Sequence, residues 1–179
     1  MVHEEGKYRS NTSDKFTMND KYVLYCFYQS LIGVLKIETS EKGICAIHFQ
    51  RDKMLAQKEP SAVLHPLLKQ AVQELDEYFC GERQEFTLPL APQGTPFQHL
   101  VWDALQKIPY GTTCSYGEIA AAIGNPKASR AVGMANNRNP LPILVPCHRV
   151  IGADGKLVGY AGGLDIKRKL LALEQGNHL

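Results

Sequence analysis

Proline and glycine cut the second half of this 179-residue chain into pieces that leave room only for short helices and turns. The breaks fall at Leu90-Ala-Pro-Gln-Gly94, Pro109-Tyr-Gly111, Gly124-Asn-Pro126 and Asn139-Pro-Leu-Pro142. Proline lacks the amide that a helix interior needs, and glycine accepts the left-handed backbone that ends a helix. Thr95-Pro96 reads as an N-cap with proline at the first helical position, opening a helix that buries Phe97, Val101, Trp102 and Leu105. Ser115 opens a second helix, with Glu118 three residues on in the capping-box pattern and a buried stripe of Ile119, Ala120 and Ile123. A third, Ala128 to Asn137, is small, basic and amide-rich. Two short helices joined by a glycine turn, the second of them polar, have the outline of a helix-turn-helix, which many helical pairs that never meet DNA share. Ala128, Ala131, Gly133 and Ala135 keep the surface of that third helix low, suited to close approach of a DNA groove or to tight helix packing, and Arg130 is its long cation.

The first half follows a different pattern. Residues 1–20 are polar and aperiodic and are expected to form a mobile tail. Three β-rich runs, Tyr22 to Tyr28, Gly33 to Thr39 and Gly43 to Phe49, predict an antiparallel meander. Leu67, Leu68, Ala71, Val72, Leu75, Tyr78 and Phe79 recur at three- and four-residue steps, which predicts a helix from Pro66 to Phe79 ended by Gly81. The expected organisation is an α/β domain over residues 21–90, a small antiparallel sheet with a helix, followed by a mostly α-helical domain over residues 95–179. Residues 21–90 show no catalytic constellation.

Composition excludes several classes. A chain with 44% hydrophobic residues is neither collagen-like nor disordered throughout, and no apolar run approaches the ~20 residues that cross a bilayer. The first twenty residues lack the apolar run of a secretory signal, so the five cysteines are expected as free thiols in the cytoplasm, or in a nucleus. Net charge is only +2, but residues 119–153 contain no acidic side chain while holding Lys127, Arg130, Arg138 and Arg149. That local excess suits a phosphate-binding face, and equally a solvated basic one.

Chemistry concentrates in Asn139 to Gly152. Prolines fix an extended path, and an apolar strand from Ile143 to Val145 is expected to deliver Cys147. Cys26, Cys45, Cys80 and Cys114 read as small hydrophobes. Cys147 differs because His148 and Arg149 adjoin it, and nearby positive charge favours the reactive thiolate. Neighbouring side chains on an extended chain point to opposite faces, so Cys147 and His148 need a turn or one bridging water to cooperate. The histidine needs an orienting carboxylate, for which Asp154, Asp165 and Glu174 are the downstream candidates. Gly152-Ala-Asp-Gly155 reads as a hairpin turn, and Asp165 complements a helix N-terminus. Glu174 sits in a last helical turn, where the dipole disfavours an anion, and reads either as partnered or as an exposed helix-end residue. On that same helix Lys167, Arg168 and Lys169 are expected to face outward.

Pro146-Cys-His-Arg149, Gly159-Tyr-Ala-Gly-Gly163 and Lys167 to Glu174 together resemble the signature of the O6-alkylguanine-DNA alkyltransferases. Ser115 to Ala120 and Gly124 to Gly133 resemble the DNA-binding helices of that family, and Thr95-Pro-Phe-Gln98 with Val101-Trp102 its domain opening. The resemblance implies a ribonuclease H-like first domain and a helix-turn-helix second one. It implies that Cys147 accepts an alkyl group from O6 of guanine, irreversibly and once per chain, without a cofactor. His148, oriented by Glu174, draws the thiol proton through a water, and Asn139 braces the network. Tyr116 rotates the nucleotide out and donates to the departing guanine, and Arg130 fills the gap in the base stack. Ser115, Lys127, Ser129, Ala131, Asn137 and Arg138 join them on the DNA face. The Cys147 and Val150 carbonyls and the Ala161 amide read the guanine edges, while Pro142, Tyr160 and Gly162 line the alkyl pocket. The implied partner is duplex DNA carrying O6-alkylguanine, with O4-alkylthymine a second candidate lesion, bound by a monomer away from membranes. Ser129 and Met134 depart from the family pattern, which has alanine and a small residue there. Some relatives hold zinc in the first domain, but here Cys45 and His48 lie three apart on an expected strand, on opposite faces, so no metal is expected. Two rivals stay open: a non-catalytic module that flags alkylated DNA, and a cysteine hydrolase using Cys147, His148 and Glu174.

Overall fold

The structure is a computed structural model that describes residues 23–50 and 65–176, so the expected tail over residues 1–20 lies outside the described residues. β1 (Leu24–Ser30), β2 (Gly33–Ser40) and β3 (Gly43–Gln50) form an antiparallel sheet in the order β1-β2-β3. The first of them starts and ends two residues later than Tyr22 to Tyr28, because pairing runs to Ser30 opposite Gly33. Alternation turns Cys26, Tyr28, Leu35, Ile37 and Ile47 into the core, where Leu68, Ala71, Leu75, Tyr78 and Phe79 of α1 (Pro66–Phe79) meet them.

After a short extended segment come α2 (Pro96–Leu105), β4 (Cys114–Ser115), α3 (Tyr116–Ala122), α4 (Ser129–Asn137), β5 (Val150–Ile151) and α5 (Leu164–Glu174). Both expected N-caps form as capping boxes, Thr95 with Gln98 and Ser115 with Glu118, each satisfying amides that a helix start leaves unpaired. Trp102 is 2% exposed and its indole donates to the Ala135 carbonyl at 3.0 Å, which ties α2 to α4. β4 and β5 pair in parallel, Cys114 with Val150 and Ser115 with Ile151. That two-residue ladder sets the start of α3 beside the Cys147 segment.

The two halves are bound together. One buried core runs through both, from Ile37 and Leu75 to Val101 and Leu170. The Ile47 amide on β3 also donates to the Pro140 carbonyl at 2.8 Å.

The expected strand from Ile143 to Val145 is instead a tight turn, in which the Val145 amide donates to the Leu141 carbonyl at 2.9 Å. Prolines at 140, 142 and 146 remove the donors that a strand ladder requires. The Asn139 side chain holds the turn, its Oδ1 accepting from the Leu141 amide at 2.9 Å and its Nδ2 donating to the Val145 carbonyl at 2.8 Å. Ile143 takes a left-handed φ of 78° there while 1% exposed, a conformation that costs a β-branched residue roughly 1–3 kcal/mol. Such cost is borne where the backbone must be aimed.

Candidate active site

The backbone is aimed into a single 3-10 turn, Cys147–Arg149, capped by the Cys147 amide on Val145 O at 2.8 Å and the Arg149 amide on Pro146 O at 3.0 Å. This is the turn that cooperation between adjacent Cys147 and His148 demanded. The two side chains leave a tight 3-10 turn about 120° apart instead of on opposite faces of a strand.

Cys147 is 3% exposed and His148 is fully buried. His148 Nε2 lies 2.7 Å from Glu174 Oε1, so of the three candidate carboxylates it is Glu174 that meets the ring. Asp154 is exposed and accepts from the Lys156 amide in its turn, and Asp165 is exposed with Arg168. Glu174 receives five hydrogen bonds. The Tyr78 hydroxyl, His148 Nε2 and Arg149 Nη2 meet Oε1 at 2.7, 2.7 and 3.0 Å, while Arg149 Nε and the Gly111 amide meet Oε2 at 2.8 and 3.2 Å. Gly111 has φ 72° and a Cβ there would lie 2.9 Å from the Glu174 backbone carbonyl, so the glycine of the helix stop lets the end of α5 approach closely.

Burial works to raise the Glu174 pKa, but the hydrogen bonds and charges of His148 and Arg149 overcome it and hold the carboxyl at about 2. Burial pushes the His148 pKa down against the pull of Glu174, so the imidazole is neutral at pH 7. Burial pushes the Cys147 thiol up to about 11, opposed by a hydrogen bond from Asn139 and the charge of Lys167. The expectation that His148 and Arg149 would favour the thiolate is therefore corrected. Arg149 is matched against Glu174 and His148 is uncharged, so neither side chain brings a charge that offsets desolvation of the sulfur. The resting group is a thiol, and chemistry at Cys147 needs a base.

Lys167 corrects another expectation. It is 0% exposed, not outward, and its ammonium donates to Val150 O at 2.6 Å and Val158 O at 2.9 Å. Burial lowers its pKa to about 8, with Cys147 pulling the other way. An amphipathic pattern cannot reveal a lysine that reaches inward to cap carbonyls.

Tyr116 donates to the same Val158 carbonyl at 3.1 Å and lies near enough to Cys147 to feel its charge. Tyr160 is 8% exposed, close enough to Cys147 for the same coupling, and its ring stacks edge-on to Phe49 of β3. Gly162 fits tightly between them, since a Cβ there would lie 2.9 Å from Phe49 and 3.0 Å from Tyr160. Pro142, Gly162 and Ala161 line a cavity of about 300 Å³ whose far wall is β3. Val150 is fully buried.

Arg130, Lys127, Ala131, Asn137 and Arg138 are exposed, and Ser129 is half-buried. They stand on and beside α4, apart from the buried relay. The Ser115 hydroxyl is engaged with Glu118. No side chain caps the start of α4. Met134 is 60% exposed on the same helix. Among the described residues no group of three or more His, Cys, Asp or Glu could hold a metal ion, and no helix is long and apolar enough to cross a membrane.

Sequence reasoning missed three contributors. Asn136 is 2% exposed and reaches the Cys147 carbonyl at 3.4 Å, linking α4 to the turn. Arg149, expected to act on the thiol through its charge, serves the carboxylate instead. Tyr78, in a segment that showed no catalytic constellation, contributes a hydroxyl to Glu174 across 96 residues of sequence. Its place on a core-facing helical stripe gave no signal, because an aromatic there is explained by packing alone.

Comparison with known proteins adds a second line. Residues 23–92 match a family model described as 6-O-methylguanine DNA methyltransferase, ribonuclease-like domain, and residues 96–176 match that family's DNA binding domain. A methylated-DNA–protein-cysteine methyltransferase of Methanosarcina acetivorans is 53% identical over 151 residues, covering 84% of this chain and 97% of its own. The constitutive one of Bacillus subtilis is 48% identical over 156 residues, covering 84% and 94%. The crystal structure of O6-methylguanine methyltransferase from Mycobacterium tuberculosis matches with a TM-score of 0.76 at 44% identity, covering 88% of this chain and 96% of that one. A crystal structure of the M. tuberculosis protein in complex with DNA also scores 0.76, at 45% identity and 86% and 93% coverage.

Proposed function

The chain belongs to the 6-O-methylguanine DNA methyltransferases, and from that premise we propose that it repairs DNA by moving the alkyl group of O6-alkylguanine irreversibly onto Cys147. The observation that carries this reading is a buried thiol on a turn next to a neutral, carboxylate-anchored histidine. Sγ of Cys147 attacks the alkyl carbon in line with the C–O6 bond. The S–C bond forms as C–O6 breaks, the thiol hydrogen leaves through His148, and the guanine regains its N1 proton. His148 Nδ1 is buried with no protein partner among the described residues, and it is the nitrogen that takes this proton, through one water. Tyr116 donates to the departing base, because a hydrogen-bonded guanine leaves more readily. The thioether product offers this relay nothing to hydrolyse, so each chain acts once.

A base stacked in a duplex cannot reach a sulfur 3% exposed, so it must be everted, at a cost of a few kcal/mol. In our reading α3 and α4 form a helix-turn-helix, and α4 enters the groove with Arg130 filling the gap in the stack. Its uncapped start, with Lys127 beside it, suits a phosphate. Pro142, Tyr160 and Gly162 receive the alkyl group, and the Ala161 amide with the Cys147 and Val150 carbonyls reads the guanine. Val150 O shares its lone pairs with Lys167, which fixes its direction. We retain the division into a ribonuclease H-like unit over residues 21–90 and the acceptor unit over residues 95–179, acting as a monomer wherever the cell keeps its DNA. Titrating the protein with a duplex containing one O6-methylguanine tests the reading. One guanine is restored per chain, and continued turnover contradicts it.

A further inference from the structure

Fully buried hydroxyls are expensive unless paired, so the partner of a core tyrosine reports its use. Tyr78 is 0% exposed on α1, and its hydroxyl donates to Glu174 Oε1 at 2.7 Å. Its ring is held by Phe79, Phe86 and Tyr110 at centroid distances of 5.3, 5.4 and 6.1 Å. A ring fixed on three sides delivers its hydroxyl to one point. That point matters because Glu174 is the last residue of α5, where helices fray.

We propose that Tyr78 is a positioning residue of the proton relay, acting on His148 through Glu174, so that the first half of the chain is a working part of the acceptor site. This rests on the reading of Cys147 as acceptor and deepens it. Oε1 is the very atom that engages His148, and it carries three donors on one oxygen. A neutral donor draws electron density from the carboxylate and weakens its hold on the His148 proton. The imidazole is thereby less basic and stays neutral to lower pH, which keeps Nδ1 open to the thiol proton. The other charged or titratable groups facing the pair act around this contact. Arg149 and Lys167 disfavour imidazolium, while Tyr110, Tyr160 and Cys147 feel Glu174 or one another through the same buried region.

The test is Tyr78→Phe, which removes only the oxygen, read by the pH dependence of single-turnover transfer and by 15N NMR of His148. Removing the donor raises the His148 midpoint. The acid limb of the rate profile moves up by about one pH unit, giving about a tenfold loss on that limb, while the high-pH plateau stays within about twofold. A drop uniform across pH, or an unmoved midpoint, means that Tyr78 only packs and overturns the proposal. The NMR arm needs no DNA. A wild-type protein that transfers nothing would sink the acceptor reading, while the midpoint still decides the role of Tyr78. Should the variant fail to fold, the Tyr78 Cζ shift of 13C-tyrosine-labelled wild-type protein is followed instead. It moves as His148 titrates, and a flat response overturns the proposal.

Discussion

Arg149 grips Glu174 with two hydrogen bonds, Nε to Oε2 at 2.8 Å and Nη2 to Oε1 at 3.0 Å, while His148 shares Oε1. The guanidinium cancels the carboxylate charge inside the fold, so Glu174 orients His148 without forcing it to be imidazolium. Glu174→Gln leaves Arg149 buried without its counter-ion, which costs roughly 3–5 kcal/mol and is read by denaturant unfolding. Transfer falls with it, because the amide cannot hold the same tautomer. Unchanged stability would mean that the pair is solvated and idle.

The depressed carboxyl also sets an acid window. Glu174 titrates near 4.5 unfolded and at about 2 folded, so its stabilisation is complete above 4.5 and is lost as pH falls toward 2. Acid unfolding of the wild type steepens in that interval, and in Glu174→Gln this component disappears. An identical acid profile for both proteins would contradict the assignment.

In the proposed mechanism transfer depends on neutral His148. Burial sets its pKa below the usual histidine value, so the single-turnover rate is level through neutral pH and falls only as pH drops through that lowered value. Rapid-quench measurement across pH checks this. A rate still rising steeply above pH 8 would show that the Cys147 thiol, at about 11, ionises without help from His148.

Much of this was legible in the sequence, and the exceptions share a cause. The N-cap at Thr95, the capping box at Ser115, the β meander and the helix ending at Glu174 were readable because local hydrogen bonding and periodicity determine them. Cys147 and His148 stand out as neighbours in the sequence, and the resemblance singles out Glu174, whose contact with His148 the structure contains. Tyr78, Asn136 and the inward turn of Lys167 were not, since each is defined by a partner distant in sequence and each fits a bland local pattern. The Ile143 turn failed for a related reason. Apolar residues between prolines look like a strand until the missing donors at 140, 142 and 146 are counted.

Arg149 also revises the charge available to DNA. Of the four cations between residues 119 and 153, it is 6% exposed and paired with Glu174, which leaves Lys127, Arg130 and Arg138. The slope of log K against log salt is then no steeper than about −3. Arg130→Ala lowers transfer from duplex DNA far more than transfer from the free alkylated base. A slope beyond about −5 would put the binding face elsewhere.

Gly162 offers a steric check. A methyl group at this position meets Phe49 and Tyr160 within 3.0 Å, so Gly162→Ala costs about 1–3 kcal/mol and narrows the pocket proposed for the alkyl group. Benzyl transfer falls more than methyl transfer. Equal losses for both would remove Gly162 from the pocket wall.

The central claim is that the Cys147 sulfur keeps the carbon. Intact and peptide-mapped mass spectrometry after reaction with O6-methylguanine duplex reads it directly. The predicted result is one added methyl group per chain, on the peptide holding Cys147, absent in Cys147→Ala. A methyl group on another residue, or restored guanine with an unmodified protein, would contradict it.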